Sequence, residues 1–131
     1  MSDDEQPKQP TLWRSLPDSE FLKDVKKYGK SNPVELTHML ANSRKFLEAL
    51  NNHIPICNIT SGFIHNEPKG IKAMDQSGPT KGKLKQMRLY LYPEIEVRTA
   101  HFICIGDKKT QQKDIKYAEK YVSKLLKQTN K

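Results

Sequence analysis

The chain has 131 residues and a formal net charge of +8, a length that suits one domain by the usual ~100–200 residues per domain. It holds two cysteines, Cys57 and Cys104, far apart and in no C-x-x-C pattern, which excludes a disulfide framework and points to free thiols in a reducing compartment. No apolar run approaches the ~18 residues of a membrane span, and the acidic start Met1-Ser2-Asp3-Asp4-Glu5 is the opposite of a signal peptide, so a cytoplasmic location is expected.

Residues 1–12 are acidic, Gln- and Pro-containing and nearly devoid of apolar side chains, the composition of a disordered or draped tail. One domain is expected over 13–131, with Trp13 and Leu16 pinning the end of the tail. A first helix is predicted from an Asp18 N-cap, with Phe21, Leu22, Val25 and Tyr28 on one stripe and Gly29 as its stop. A second follows Asn32 as cap, Pro33 in the first turn and Glu35 as the partner of a capping box. Leu36, Met39, Leu40, Ser43, Phe46, Leu47 and Leu50 then recur at helical spacing.

Ile54 to Ile59 reads as either a short strand or an extended connection, with Pro55 arguing against a central strand. Gly70 to Asp75 reads as a short strand, and Gln76 to Gly82 as loop. From Leu84 to Tyr92, Lys85, Met87, Leu89 and Leu91 alternate with Gln86, Arg88, Tyr90 and Tyr92. From Val97 to Ile105 the residues Val97, Thr99, His101, Ile103 and Ile105 alternate with Arg98, Ala100, Phe102 and Cys104. Both faces of that second strand are largely apolar, which places it centrally. A turn at Gly106–Lys109 leads to a closing helix over about 111–127 that buries Ile115, Ala118, Val122 and Leu125. Helices and antiparallel strands segregated in this order predict an α+β fold: two N-terminal helices and a C-terminal helix on one face of a small three- or four-stranded antiparallel sheet.

The charge is unevenly spread. Residues 81–131 hold 13 Lys and Arg against 5 Asp and Glu, which accounts for the whole +8, while residues 1–80 hold 10 of each sign. Clustered cations of this kind suit a polyanion whose counterions they displace. A solubilising, Lys-rich last helix is the plainer reading of the same charge.

Gly78-Pro-Thr-Lys-Gly-Lys83 is one residue short of a phosphate loop, and Leu84 stands where Ser or Thr is needed. The histidines and cysteines show no zinc-ligand spacing, so neither a metal nor a small-molecule cofactor is expected.

The segment Ile105-Gly-Asp-Lys-Lys-Thr-Gln-Gln-Lys-Asp-Ile-Lys-Tyr-Ala118 carries a resemblance. Its pattern, I-G-D-K-K-T-Q-x-x-D-I-x-x-A, resembles the last-strand-to-helix corner of HigB-like, addiction-module killer members of the RelE/ParE toxin superfamily. Lys85-Gln-Met-Arg-Leu-Tyr90 is similar to that family's central strand, and Val97-Arg98-Thr99 lies where it has its next-strand arginine. The resemblance covers about residues 70–126. The Met1–Trp13 extension, the long 53–83 connection and the short span from Arg88 to Gly106 depart from the common pattern.

The resemblance implies a compact toxin of a type II toxin–antitoxin system that docks on the ribosome, cleaves mRNA there and is held inactive by an antitoxin protein. The implied chemistry is attack of a ribose 2′-hydroxyl on the adjacent phosphate, stabilised mainly by charge. On this chain it assigns the catalytic set Lys85, Arg88, Arg98, His101, Lys108, Lys109 and Tyr117, the last five including both proton-moving candidates, His101 and Tyr117. RNA contacts would come from Lys81, Lys83, Tyr90, Tyr92, Gln111, Gln112 and Lys113, with the tyrosines stacking on bases. A non-catalytic RNA- or protein-binding module on the same scaffold, including a gyrase inhibitor of the ParE kind, is the competing reading. A plain interaction protein is the third.

Overall fold

Helix formation starts where the sequence places its caps. In the computed structural model, which describes residues 12–60, 62–76 and 85–129, Asp18 caps α1 (Ser19–Ser31) and its carboxylate accepts the Glu20 N–H at 3.2 Å. α2 (Pro33–Asn51) opens on Pro33, whose missing N–H is no loss in a first turn. Gly29 does not stop α1, which runs on to Ser31. The stop comes at Asn32, whose backbone leaves helical space at φ −140°, as a residue before proline tends to do. The expected capping box is not formed: Asn32 makes no side-chain cap bond. Glu35 is instead buried, and its carboxylate accepts the Lys85 N–H at 2.8 Å.

Five strands form one mixed sheet in the order β1-β5-β4-β3-β2: β1 (Arg14–Pro17), β2 (Ile64–Asn66), β3 (Lys72–Asp75), β4 (Met87–Glu94) and β5 (Thr99–Asp107). With α3 (Gln111–Thr129) this is an α+β architecture of three helices and a sheet. The expected three- or four-stranded antiparallel sheet is corrected at both edges. β1 joins parallel to β5, Arg14 opposite Thr99 and Pro17 opposite Phe102. β2 adds an outer antiparallel strand of only three residues. The segment before it turns into a short 3-10 helix at Ile56–Asn58. The adjacent, antiparallel β4 and β5 agree with expectation, and β5 is central, between β1 and β4.

The helices are not all on one face. Met87, Leu89 and Leu91 of β4 join Phe21, Tyr28, Met39 and Phe46 of α1 and α2 in one buried cluster. Tyr90, between them in sequence, joins Ala118 and Val122 of α3 in a second cluster. Since successive strand residues point to opposite sides, α3 covers the face opposite α1 and α2. The alternation predicted for β5 also fails midway. Tyr90 is opposite Cys104 but Leu91 is opposite Phe102, a bulge that leaves Ile103 extra. Ile103 and Cys104 consequently both lie in the α3 cluster, while Ile105 turns to the α1–α2 side.

Candidate functional site

The distinctive motif turns out to build a corner. Gly106 lies against α3 so closely that a Cβ there would overlap the Asp114 carboxylate and the Thr110 hydroxyl. Thr110 donates its hydroxyl to Asp114 Oδ2 at 2.6 Å and accepts the Asp107 N–H at 3.0 Å. Asp107 in turn accepts the N–H groups of Lys109 and Thr110 at 2.9 and 3.1 Å, and its other oxygen is 3.1 Å from Lys85 Nζ. Burial works to raise the Asp107 carboxyl, but the Lys85 and backbone contacts outweigh it and hold it below its ordinary value. Asp114 is buried and, among the described residues, in no ion pair; burial outweighs the Thr110 hydrogen bond and the Lys113 charge and pushes its carboxyl up to about 6.

Two further side chains fix where the stems at Gln76 and Lys85 meet. The Gln76 amide donates to the Lys85 carbonyl, and its oxygen accepts the Met87 N–H at 2.9 Å. Glu35 holds Lys85 from the helix side; burial opposes its ionisation, yet the Lys85 and Glu35 N–H groups, the Asn32 amide and the Lys85 charge leave its carboxyl below the ordinary range. Lys85 and Arg88 therefore sit on a backbone anchored from two directions.

On the α3 face at this end of the sheet, Gln86, Arg88, Asp107, Lys108 and Gln111 line a small cleft of about 30 Å³. Arg88 and Lys108, from different elements, both line it, and α3 begins at its wall, adding the partial positive charge of a helix N-terminus. Arg88 Nη1 is 3.8 Å from Glu67 Oε2. Arg88 is also directly opposite Asp75 in the β3–β4 register, and Asp75 Oδ2 is 2.9 Å from His65 Nε2. Met74 and Ile64 face away and Ala73 faces α3, so His65, Asp75 and Arg88 share the α3 face across three strands.

Other candidates lie elsewhere. Arg98 is in the turn before β5 with a left-handed φ of 47°, eight residues from Gly106, or about 25 Å of strand at ~3.3 Å per residue. No single phosphate can meet both Arg98 and Arg88. His101 is buried: its Nε2–H donates to Glu94 at 2.8 Å and its Nδ1 accepts the Tyr121 hydroxyl at 3.0 Å. That array ties α3 to the far end of the sheet. Tyr117 donates its hydroxyl to Asp18 Oδ2 at 2.7 Å, and this bond, with burial, raises its own titration, which suits it poorly to moving protons near neutrality. Tyr90 is core and presents no stacking surface; Tyr92 packs over Gly70 and beside His101. Lys109, Gln112 and Lys113 are exposed. Lys113 and Gln112 line a different depression with Lys116, Tyr117 and Lys120. Lys81, Lys83 and the glycine-rich 78–83 segment lie outside the described residues, as does the tail up to residue 11.

The second basic region is α3 itself. Lys113, Lys116, Lys120, Lys124 and Lys127 recur at intervals of three and four, all exposed, on a stripe about 21 Å long at ~1.5 Å per residue. Among the described residues none of the five is in an ion pair. Lys116, Lys120, Lys124 and Lys127 border a groove of about 730 Å³ that also involves Tyr117, Tyr121 and Lys69. Also among the described residues, no group of His, Cys, Asp and Glu is arranged to hold a metal ion, and no helix is long and apolar enough to cross a membrane.

Sequence reasoning missed His65, Glu67 and Asp75. The only signal for them is that a histidine lies ten residues before an aspartate, and that becomes meaningful only with the β2–β3 register. Comparison with family models, curated proteins and solved structures finds no match to this chain.

Proposed function

We propose that this chain is a toxin-like protein of a type II toxin–antitoxin system, an endoribonuclease that cuts mRNA on the ribosome and is restrained by an antitoxin protein. The observation that carries this reading is the convergence of Arg88 and Lys108 on one cleft, at the corner built by Gly106, Asp107, Thr110 and Asp114. Two cations from separate elements, Arg88 held beside Glu67 and Lys108 carried on a backbone turn capped by Asp107, suit a phosphate gaining negative charge in the transition state. A flexible lysine on a helix surface offers attraction without position.

The competing reading, a non-catalytic nucleic-acid-binding module, is favoured by the unpaired lysine stripe of α3, which needs no cleft to bind phosphates. The experiment is expression of the full chain with mRNA cleavage followed on translating ribosomes. The wild type is expected to slow growth and to cut. Arg88→Ala combined with Lys108→Ala is expected to relieve both, since each well-placed donor is worth about 10²–10³-fold in rate. Lys26→Ala, an exposed change on α1, is the control and should remain active. A wild type that binds RNA and leaves it intact sinks the nuclease reading in favour of the module.

A further inference from the structure

We propose that His65, oriented by Asp75, is the general base that takes the ribose 2′-hydroxyl proton in RNA cleavage at the Arg88 cleft; this rests on the nuclease reading above. The candidates that resemblance supplied for that task are committed elsewhere, His101 to Glu94 and Tyr121, Tyr117 to Asp18. The cleft thus has cations and needs a proton acceptor.

Three features point to His65, which lies outside the lining of the cleft but on the same face of the sheet as Arg88. A carboxylate only accepts, so the 2.9 Å contact with Asp75 Oδ2 keeps the proton of neutral imidazole on Nε2 and leaves the lone pair on Nδ1. No described residue hydrogen-bonds Nδ1, and the side chain is 36% exposed, while Asp75 is 13% exposed. The orienting acid is sheltered and the ring edge is open. The second feature is reach. Arg88 extends across β3 to Glu67, two residues beyond His65 on the same side of its strand, a separation of about 7 Å. A phosphodiester bound by Arg88 therefore has its ribose within range of the imidazole.

The third is order across the sheet. His65 is on β2, Asp75 on β3, Arg88 on β4, and Lys108 follows β5. The strand order thus places base and ammonium on opposite sides of the strand that carries Arg88, the order an in-line displacement uses. Nδ1 removes the 2′-hydroxyl proton, the 2′-oxygen forms a bond to phosphorus, and the P–O5′ bond breaks. The leaving 5′-oxygen takes a proton from the Lys108 ammonium. The products are a 2′,3′-cyclic phosphate and a 5′-hydroxyl, with imidazolium and amine returning to their starting states by exchange with water. Among the described residues, the charged group in contact with His65 is Asp75, and Arg88 and Glu67 pair on the same face of the sheet.

The test compares wild type with His65→Gln and Asp75→Asn on translating ribosomes carrying a defined mRNA. Product ends, RNA affinity and the pH–rate profile are measured, and thermal unfolding is followed as a folding control. Gln can still donate to Asp75 but accepts no proton. His65→Gln should lose about 10²–10⁴-fold in cleavage while keeping its affinity, and the acid limb of the wild-type profile should vanish. Asp75→Asn should retain that limb at a reduced rate, since it mis-sets the tautomer and leaves the base in place. If the wild type cuts and His65→Gln cuts as fast, or if the ends are not cyclic phosphate and 5′-hydroxyl, the inference is overturned and the nuclease reading survives. A wild type that does not cut overturns both.

Discussion

Arg88 and Lys116 are cations on the same side of the sheet, yet they are held in opposite ways. Arg88 is four-fifths buried, on a strand, with Glu67 beside it and Asp75 opposite it in register. Lys116 belongs to a helical stripe that is exposed and, among the described residues, unpaired. A neighbouring carboxylate lowers the net attraction of a cation for distant anions and fixes the position of its charge. An unpaired lysine does the reverse: it contributes to a long-range field and retains its rotamer freedom. The cleft holds its charge at one place, whereas the helix spreads its charge along an exposed face.

The largest effect should come from separating these roles. Arg88→Ala should lower single-turnover cleavage by about 10²–10³-fold with little change in ribosome affinity. The triple change Lys116→Gln, Lys120→Gln, Lys124→Gln should leave cleavage at saturation near wild type. It should flatten the dependence of log affinity on log salt by about 0.7–0.9 per lysine that contacts a phosphate. If the triple variant is chemically dead when fully bound, the division between the two regions is broken.

A smaller effect tests how rigidly the cleft is built. Asp114 has its folded pKa raised from 3.8 to about 6, so the native state binds a proton more tightly than the unfolded chain does. Its contribution is present in full below pH 3.8 and is lost as pH rises through about 6. At roughly 1.4 kcal/mol per unit the loss is about 3 kcal/mol. Asp24 is raised in the same sense, by burial. Asp107 and Glu35, held low, work in the opposite direction and lose stability on acidification below the ordinary carboxylate range. Between about pH 4.5 and 7 Asp114 should therefore dominate among these four. Asp114→Asn, which keeps an oxygen for Thr110, should show a smaller fall in Tm from pH 5 to pH 7.5 than wild type does. Equal falls would mean that the carboxylate at the corner is not the group being stressed.

The parts of this architecture that were legible in sequence are those with local signals. Asp18 and Pro33 announce helix starts, and the Met87/Leu89/Leu91 period places β4 and its neighbour. The motif from Gly106 to Asp114 marks the corner, although its Gly, Thr and Asp prove to be the frame around the cations. What was hidden depends on contacts distant in sequence. β1 is four exposed residues, recognisable only once β5 offers it a parallel edge. Glu35 looks like half of a capping box, but fifty residues later Lys85 supplies a better donor. The bulge at Ile103 sends two consecutive apolar residues to the same face, and neither alternation nor composition signals it. His65 and Asp75 meet only through the pairing of two short strands, so a scan for spacing passes over them.

The smallest effect concerns a residue that belongs to the helix face yet was a candidate for the chemistry. Tyr117 donates to Asp18 at 2.7 Å. Asp18 in turn caps α1, and its own N–H donates to the Phe102 carbonyl at 2.8 Å. The hydroxyl thereby links α3 to the junction of β1 and α1, far from the Arg88 cleft. Tyr117→Phe removes that bond and leaves the ring, so the loss should lie near the lower end of the usual 0.5–1.5 kcal/mol, because Tyr117 is 39% exposed and water can replace the hydroxyl at Asp18. Asp18 keeps its helix-cap bond, so α1 should not fray. Thermal unfolding should therefore show a small drop in Tm, and cleavage at saturating protein should stay within about twofold of wild type, since no transition-state contact is lost. A hundredfold fall in cleavage with the same small drop in Tm would bring the helix face into the reaction itself, and the contrast between a positioning cleft and an attracting helix would no longer describe this molecule.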